Sequence, residues 1–192
     1  IVAIPLWTGF DVAQGTMQFV ELKTWIPRFN INYHLGVDGI SMLFVVLNSF
    51  ITIIVVLAGW EVIQQKVAQY NAAFLIMSGL MNGIFTSLDG ILFYVFFEAS
   101  LIPMYLIIGV WGGPNRVYAA FKFFLYTLFG SLLFLLALMY LFIQSGGSFS
   151  ILEWHKLPIG LGPQIWLFLA FLVAFAVKVP MWPVHTWLPD AH

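Results

Sequence analysis

The sequence predicts an all-α polytopic membrane protein with about five complete transmembrane helices, and three observations predict it. Of 192 residues, 62% are hydrophobic and 8% are charged, against about a quarter charged in a soluble domain. Mean hydropathy is +0.99, and apolar runs near the roughly 20 residues that cross a bilayer recur along the chain. No soluble domain, long repeat or low-complexity tract interrupts them. The same composition excludes other classes. A net charge of −1 offers no basic surface for nucleic acid. With no cysteine, the chain supplies neither thiolate ligands for iron–sulfur clusters nor disulfides. It begins at Ile1 without Met and stops at His192 inside a motif, so it reads as part of a longer chain.

Residues 1–6 read as the tail of a preceding transmembrane helix, 7–37 as an extramembrane loop, and 38–192 as a transmembrane helical bundle. Within the loop, two runs alternate with a period of two, Met17–Ile26 and Phe29–His34, with Pro27-Arg28 between them. That pattern predicts a short β-hairpin. The first complete span runs from about Asp38, placed to cap it, to Gly59, with Ser41, Asn48 and Thr52 on one side. A short second span, Ala72–Leu88, carries Gly79 and Gly83 at a spacing suited to close helix packing. The third, Ile91–Trp111, follows the Asp89-Gly90 turn and contains Glu98 and Pro103. The fourth, Val117–Ile143, contains Lys122, Tyr126, Thr127 and Ser131. The fifth begins near Gln164 and runs into Lys178 and two prolines, 180 and 183, which predict a discontinuous helix. Lys66 and Arg116 lie in short loops on one side of this topology, which slightly favours that side as cytoplasmic.

Three ionisable residues sit within apolar spans: Glu98, Lys122 and Lys178. Each costs about 2.5–3.5 kcal/mol on insertion scales, so such residues face a bundle interior or water and pair with one another. Lys122 lies in the first turns of its helix, where snorkelling to the interface competes with a functional role. Lys178 follows thirteen uninterrupted apolar residues, Ile165–Val177. Ideal helices put Glu98 about 10 Å and Lys178 about 20 Å from the same side, a mismatch that a bridging water would close. Tyr94 and Tyr105 share the face of Glu98 in a continuous helix. His185 and His192 follow Lys178 at seven-residue steps, nearly one helical face if the helix continued. Steps of about 10 Å need waters as links, and imidazole is suited to passing protons because its ordinary pKa is about 6.5. The plain alternative makes both histidines polar residues of a loop leaving the membrane. Haem is disfavoured, since His34 and His155 fall in loops and no two histidines oppose each other at mid-span. Flavin, nicotinamide and metal motifs are absent.

The runs FEASLIPMYLIIGVWGGPNRVYAAFKFFLYTLFGS (97–131), FAVKVPMWPVHTWLPDAH (175–192) and HLGVDGISMLF (34–44) resemble the M-type antiporter-like subunits of respiratory complex I. Complex I is the proton-translocating NADH–quinone oxidoreductase, and the mitochondrial counterpart of the M subunit is chain 4. The resemblance implies two inverted five-helix repeats, each with a discontinuous helix. The second to fifth spans would match four helices of the first repeat, and the fifth its broken helix. It implies that Glu98 and Lys178 form the coupled pair of a half-channel and that His185 and His192 line the hydrated route beyond it. Lys122 matches a basic position of the fourth span. No cofactor is implied in this chain; NADH, FMN, iron–sulfur clusters and quinone belong elsewhere in the complex. The implied partners are other complex I membrane subunits, neighbouring antiporter-like subunits among them, and the lipid bilayer. The implied location is a bacterial inner membrane with residues 7–37 periplasmic, in agreement with the loop charges.

The expected function is therefore proton translocation driven by remote electron transfer. One alternative is a subunit of a multi-subunit cation/proton antiporter or membrane hydrogenase, which share the fold and the Glu/Lys pattern. From another class, the chain could be a structural membrane spacer whose ion pair only holds helices together. A quinone-reducing enzyme finds no redox ligand set here.

Overall fold

The structure, a computed structural model, describes residues 3–191; His192 lies outside the described residues. The chain divides into two units, one of Ile1–Pro27 with Ile31–Ser100, the other of Arg28–Asn30 with Leu101–His192. Among the described residues, four helices are long and apolar enough to cross a membrane: Gly39–Val62, Gly90–Trp111, Arg116–Gln144 and Leu161–Lys178.

In the first unit, α1 (Ala3–Gly9) precedes strands β1 (Gln18–Ile26) and β2 (Ile31–Val37). The strands pair antiparallel, with Lys23 opposite Tyr33 and Thr24 opposite Asn32. A turn of 3-10 helix over Pro27–Phe29 joins them. This is the hairpin that the alternation predicts.

Helix α2 (Gly39–Val62) starts at a capping box. Asp38 Oδ1 accepts from the Ile40 and Ser41 N–H groups at 3.0 and 2.7 Å, and Ser41 Oγ accepts from Asp38 N–H at 2.8 Å. The Ser41 N–H foremost, with further hydrogen bonds, holds the Asp38 carboxyl below its ordinary range. Against α2 lies α3 (Val67–Thr86), which starts at Val67 rather than Ala72. The polar residues Gln69 and Asn71, read as loop from the sequence, extend the helix by a turn instead. At 20 residues α3 is long enough to span, but its polar content leaves it out of the four apolar spans.

That polarity has a partner across the helix pair. Asn48 Nδ2 donates to Ser78 O at 2.9 Å and to Asn82 Oδ1 at 2.8 Å, while Thr52 Oγ1 donates to Ser78 Oγ at 2.8 Å. With lipid as solvent, apolar burial drives helix association weakly, and such bonds hold the pair. Asn48→Leu should destabilise the folded chain by about 1 kcal/mol. Thermal unfolding in detergent checks this, and an unshifted midpoint would show that the network adds nothing.

Of the two glycines singled out on α3, only Gly83 serves a close approach: a Cβ there would lie 2.7 Å from the Phe96 ring, whereas nothing stands within 4 Å at Gly79. Phe96 belongs to α4 (Gly90–Ala99). The third span, Gly90–Trp111, is one helix as the sequence suggested, kinked at Ser100 where α4 passes into α5 (Leu101–Trp111). Pro103 supplies the reason. It lacks the N–H that would bond the Ala99 carbonyl, and its ring crowds that carbonyl, so the helix bends there without ending. Ser100 closes α4, its N–H donating to Phe96 O at 3.1 Å and its Oγ to Phe97 O at 2.7 Å.

The second unit continues from α5 through α6 (Arg116–Gln144), α7 (Ile151–Trp154), α8 (Leu161–Lys178) and α9 (Leu188–Ala191). Its core gathers Leu101, Ile108, Ala119, Ala120, Phe123 and Trp187. Helices α6 and α8 approach closely at Gly130, where a Cβ would meet Val177 Cγ2 at 3.2 Å and Ala174 Cα at 3.4 Å. Small residues at such crossings let backbones touch in lipid.

Candidate functional site

Helix α8 stops at Lys178. Pro180 has no N–H to give the Ala176 carbonyl. Met181 N–H takes its place, donating to Ala176 O at 2.8 Å, and Val179 N–H donates to Phe175 O at 2.8 Å. The Val177 carbonyl would have used Met181 in a regular helix. It accepts instead from the Trp187 indole Nε1 at 2.8 Å, where Val177 and Trp187 are both buried. The interruption leaves these three carbonyls satisfied, as a non-helical stretch at membrane depth requires. The discontinuity predicted for the fifth span is present, and it places Lys178 in the last turn before it.

Glu98 lies in the first unit, in the last turn of α4, two residues before the kink at Ser100. Its Oε1 is shut off from solvent. Tyr94 lies on α4 with Glu98, and Tyr105 on α5. Tyr105 packs edge-on against Phe121 and Phe124 of α6, with ring centroids 5.7 and 5.9 Å away.

Beyond Lys178 the chain forms turns until Leu188, so no continuous helical face links Lys178 to His185; His192 lies outside the described residues. Pro180 and Pro183 account for this. His185 nevertheless sits in a protected place. Its Nδ1 is buried and makes no hydrogen bond among the described residues.

Lys122 meets a counter-charge. Its side chain is 18% exposed, and Nζ bonds Asp190 Oδ2 at 2.6 Å. The Tyr118 ring centroid lies 5.7 Å from the same ammonium. One helical turn along α6, the Tyr126 hydroxyl accepts from Thr186 Oγ1 at 2.9 Å.

Three polar groups went unremarked as site residues. Asp190 and Thr186 gave no signal beyond their place in the motif after the prolines. Asp89, read only as a turn residue, is 1% exposed. Its Oδ1 caps α4 through the Ile91 and Leu92 N–H groups at 3.0 and 3.1 Å, and its Oδ2 accepts from the β2 residue Asn32 at 3.0 Å. Its burial beside a polar turn could have been suspected from the need to cap a helix that starts so close to the hairpin.

A spanning helix interrupted beside an ionisable residue recurs in transporter-type membrane proteins. The chain belongs to the family described as "NADH:quinone oxidoreductase/Mrp antiporter, TM", which matches residues 87–192. Residues 7–87 match "NADH-ubiquinone oxidoreductase chain 4, amino terminus". NADH-quinone oxidoreductase subunit M of Rhodobacter capsulatus is 49% identical over 206 residues, which take in 100% of this chain and 39% of that protein. The subunit M of Rickettsia prowazekii (strain Madrid E) is 51% identical over 186 residues, 95% of this chain and 38% of its own. A chain of respiratory complex I from Thermus thermophilus with bound NADH superposes with a TM-score of 0.84 at 34% identity, covering 99% of this chain and 40% of that one. The chain thus spans about two-fifths of the length of the curated relatives it matches.

Proposed function

We propose that the chain translocates protons across a bacterial inner membrane as part of an antiporter-like subunit of NADH–quinone oxidoreductase, driven by electron transfer elsewhere in the complex. One observation carries the reading: α8 is interrupted beside an ionisable residue, Lys178, and a second ionisable residue, Glu98, sits inside the spanning helix Gly90–Trp111. Irregular backbone at membrane depth is found where it is buried in protein or lines a watery cavity, and half-helix ends are where transporters handle ions. The family supplies the coupling to NADH oxidation, with NADH, FMN, iron–sulfur clusters and quinone held by other subunits. The partners on this reading are the other membrane subunits of the complex, and residues 7–37 face the periplasm.

In the proposed cycle Lys178 keeps its proton while the Glu98 carboxylate is ionised. Neutralising or withdrawing that carboxylate lets the proton pass through water toward His185 and His192. Neither Glu98 nor Lys178 requires a redox partner within the chain.

In membranes carrying the full-length chain in its assembled complex, Glu98→Ala and Lys178→Ala should leave the complex assembled. Proton transfer through this chain should slow roughly a hundredfold, the lower end of what a positioned proton-transfer group supplies. Unchanged NADH-driven pumping in both variants would refute the reading and favour a structural spacer. The matched family also takes in the Mrp antiporters, so cation exchange is the second reading. Transport that requires Na⁺ or K⁺ on the opposite side would favour it.

A further inference from the structure

We propose that Asp190 is a positioning residue for proton transfer: paired with Lys122, it fastens the segment carrying His185 against α6. The proposal rests on the reading of His185 as a stage of the proton route.

Three contacts of different kinds hold the stretch after Lys178 to the second unit. Thr186 Oγ1 donates to the Tyr126 hydroxyl, Trp187 Nε1 donates to the Val177 carbonyl, and Asp190 Oδ2 accepts from Lys122 Nζ. Lys122 and Tyr126 are four apart on α6 and so share one face. Phe123, next to Lys122, packs its ring against Trp187 with centroids 5.0 Å apart. Two of these hydrogen bonds and the Phe123–Trp187 ring contact therefore converge on one stretch of α6, from residues one, two and five past His185, while the Trp187 indole bond ties the same segment to α8. Side chains used in transfer chemistry need their orientation fixed by such supporting contacts. His185 has fixed neighbours while its own Nδ1 is buried without a hydrogen bond among the described residues.

Of the three anchors only the Lys122–Asp190 bond joins opposite charges. A cation in an apolar span is retained where a counter-charge meets it, and Asp190 meets this one at 2.6 Å. The geometry gives Lys122 the part of an anchor rather than a carrier. Its ammonium is directed to Asp190 and the Tyr118 ring. A positioning pair tolerates exchange of its members, whereas a carrier does not.

The test measures protons translocated per NADH oxidised in membrane vesicles holding the full-length chain in its assembled complex. The variants are Asp190→Asn, Asp190→Glu, the exchange Lys122→Asp with Asp190→Lys, and Lys178→Ala as a reference. Asp190→Asn should lower the ratio at least twofold while uncoupled NADH oxidation stays at the parental rate. Asp190→Glu and the exchanged pair should each recover most of it. A merely structural role would lower assembly, oxidation and pumping together, without recovery in the exchanged pair. Normal pumping by assembled Asp190→Asn would overturn the proposal, as would an assembled exchanged pair that does not pump. Should Asp190→Asn fail to assemble, the exchanged pair decides by the same criterion. If Lys178→Ala pumps normally, the parent reading falls whatever Asp190 does; if it fails to pump while Asp190→Asn does not, only the anchoring proposal falls.

Discussion

Replacing Trp187 by alanine should destabilise the second unit by about 3–5 kcal/mol, the range for removing a large buried aromatic side chain. Trp187 is 5% exposed, packs on Phe123, and belongs to the cluster built from Leu101, Ile108, Ala119, Ala120 and Phe123. Its indole also does what no aliphatic residue could, donating to the carbonyl that the interruption of α8 released. Trp187→Phe separates the two roles, because the ring remains and the N–H does not. The phenylalanine variant should still lose about 1–3 kcal/mol, the cost of a buried carbonyl left without its donor. Thermal or denaturant unfolding of the detergent-solubilised full-length chain measures both. If Trp187→Phe unfolds like the parent, the indole bond contributes nothing and packing alone explains the site.

Asp89→Ala is the second large effect. One nearly buried carboxylate accepts from three backbone N–H groups, two at the start of α4 and one on β2. Loss of a helix cap costs up to about 2 kcal/mol, and leaving a buried donor unsatisfied adds about 1–3 kcal/mol. Asp89→Asn keeps a carbonyl oxygen for the α4 donors and should cost much less. The sign of the pH effect distinguishes them further. Burial, outweighing the hydrogen bonds that pull the other way, pushes the Asp89 carboxyl above its ordinary range. Its contribution is therefore fullest below the ordinary Asp value near 3.9 and is lost as pH rises through the folded value. Asp89→Asn should flatten that slope. Alanine and asparagine variants of equal stability would show that the carboxylate's acceptor role is not what holds the turn.

What could be read in advance followed from local rules. Period-two runs on either side of Pro27-Arg28 gave the hairpin, and Asp38 gave the start of α2, because pairing and capping depend on neighbours in the chain. Lys178 before Pro180 marked the interruption of α8 for the same reason. Pro103 was read as a residue inside a span and is one, but the kink that its missing donor to Ala99 produces at Ser100 was not counted. The start of α3 was misjudged because Gln69 and Asn71 look like loop but cost a helix little. The heptad spacing of Lys178, His185 and His192 suggested a shared face, but periodicity has meaning only while the helix lasts. Asp190 was out of reach for another reason: its partner Lys122 stands 68 positions away, and no local rule pairs them.

The accounting of carbonyls at the end of α8 also bears on solvent. Phe175, Ala176 and Val177 each present an oxygen already bonded to a protein donor. A water molecule arriving beside Lys178 is therefore not recruited to repair these peptide groups, and no such repair fixes it in place. On the proposed reading, a change of hydration beside Lys178 leaves these three backbone bonds in place.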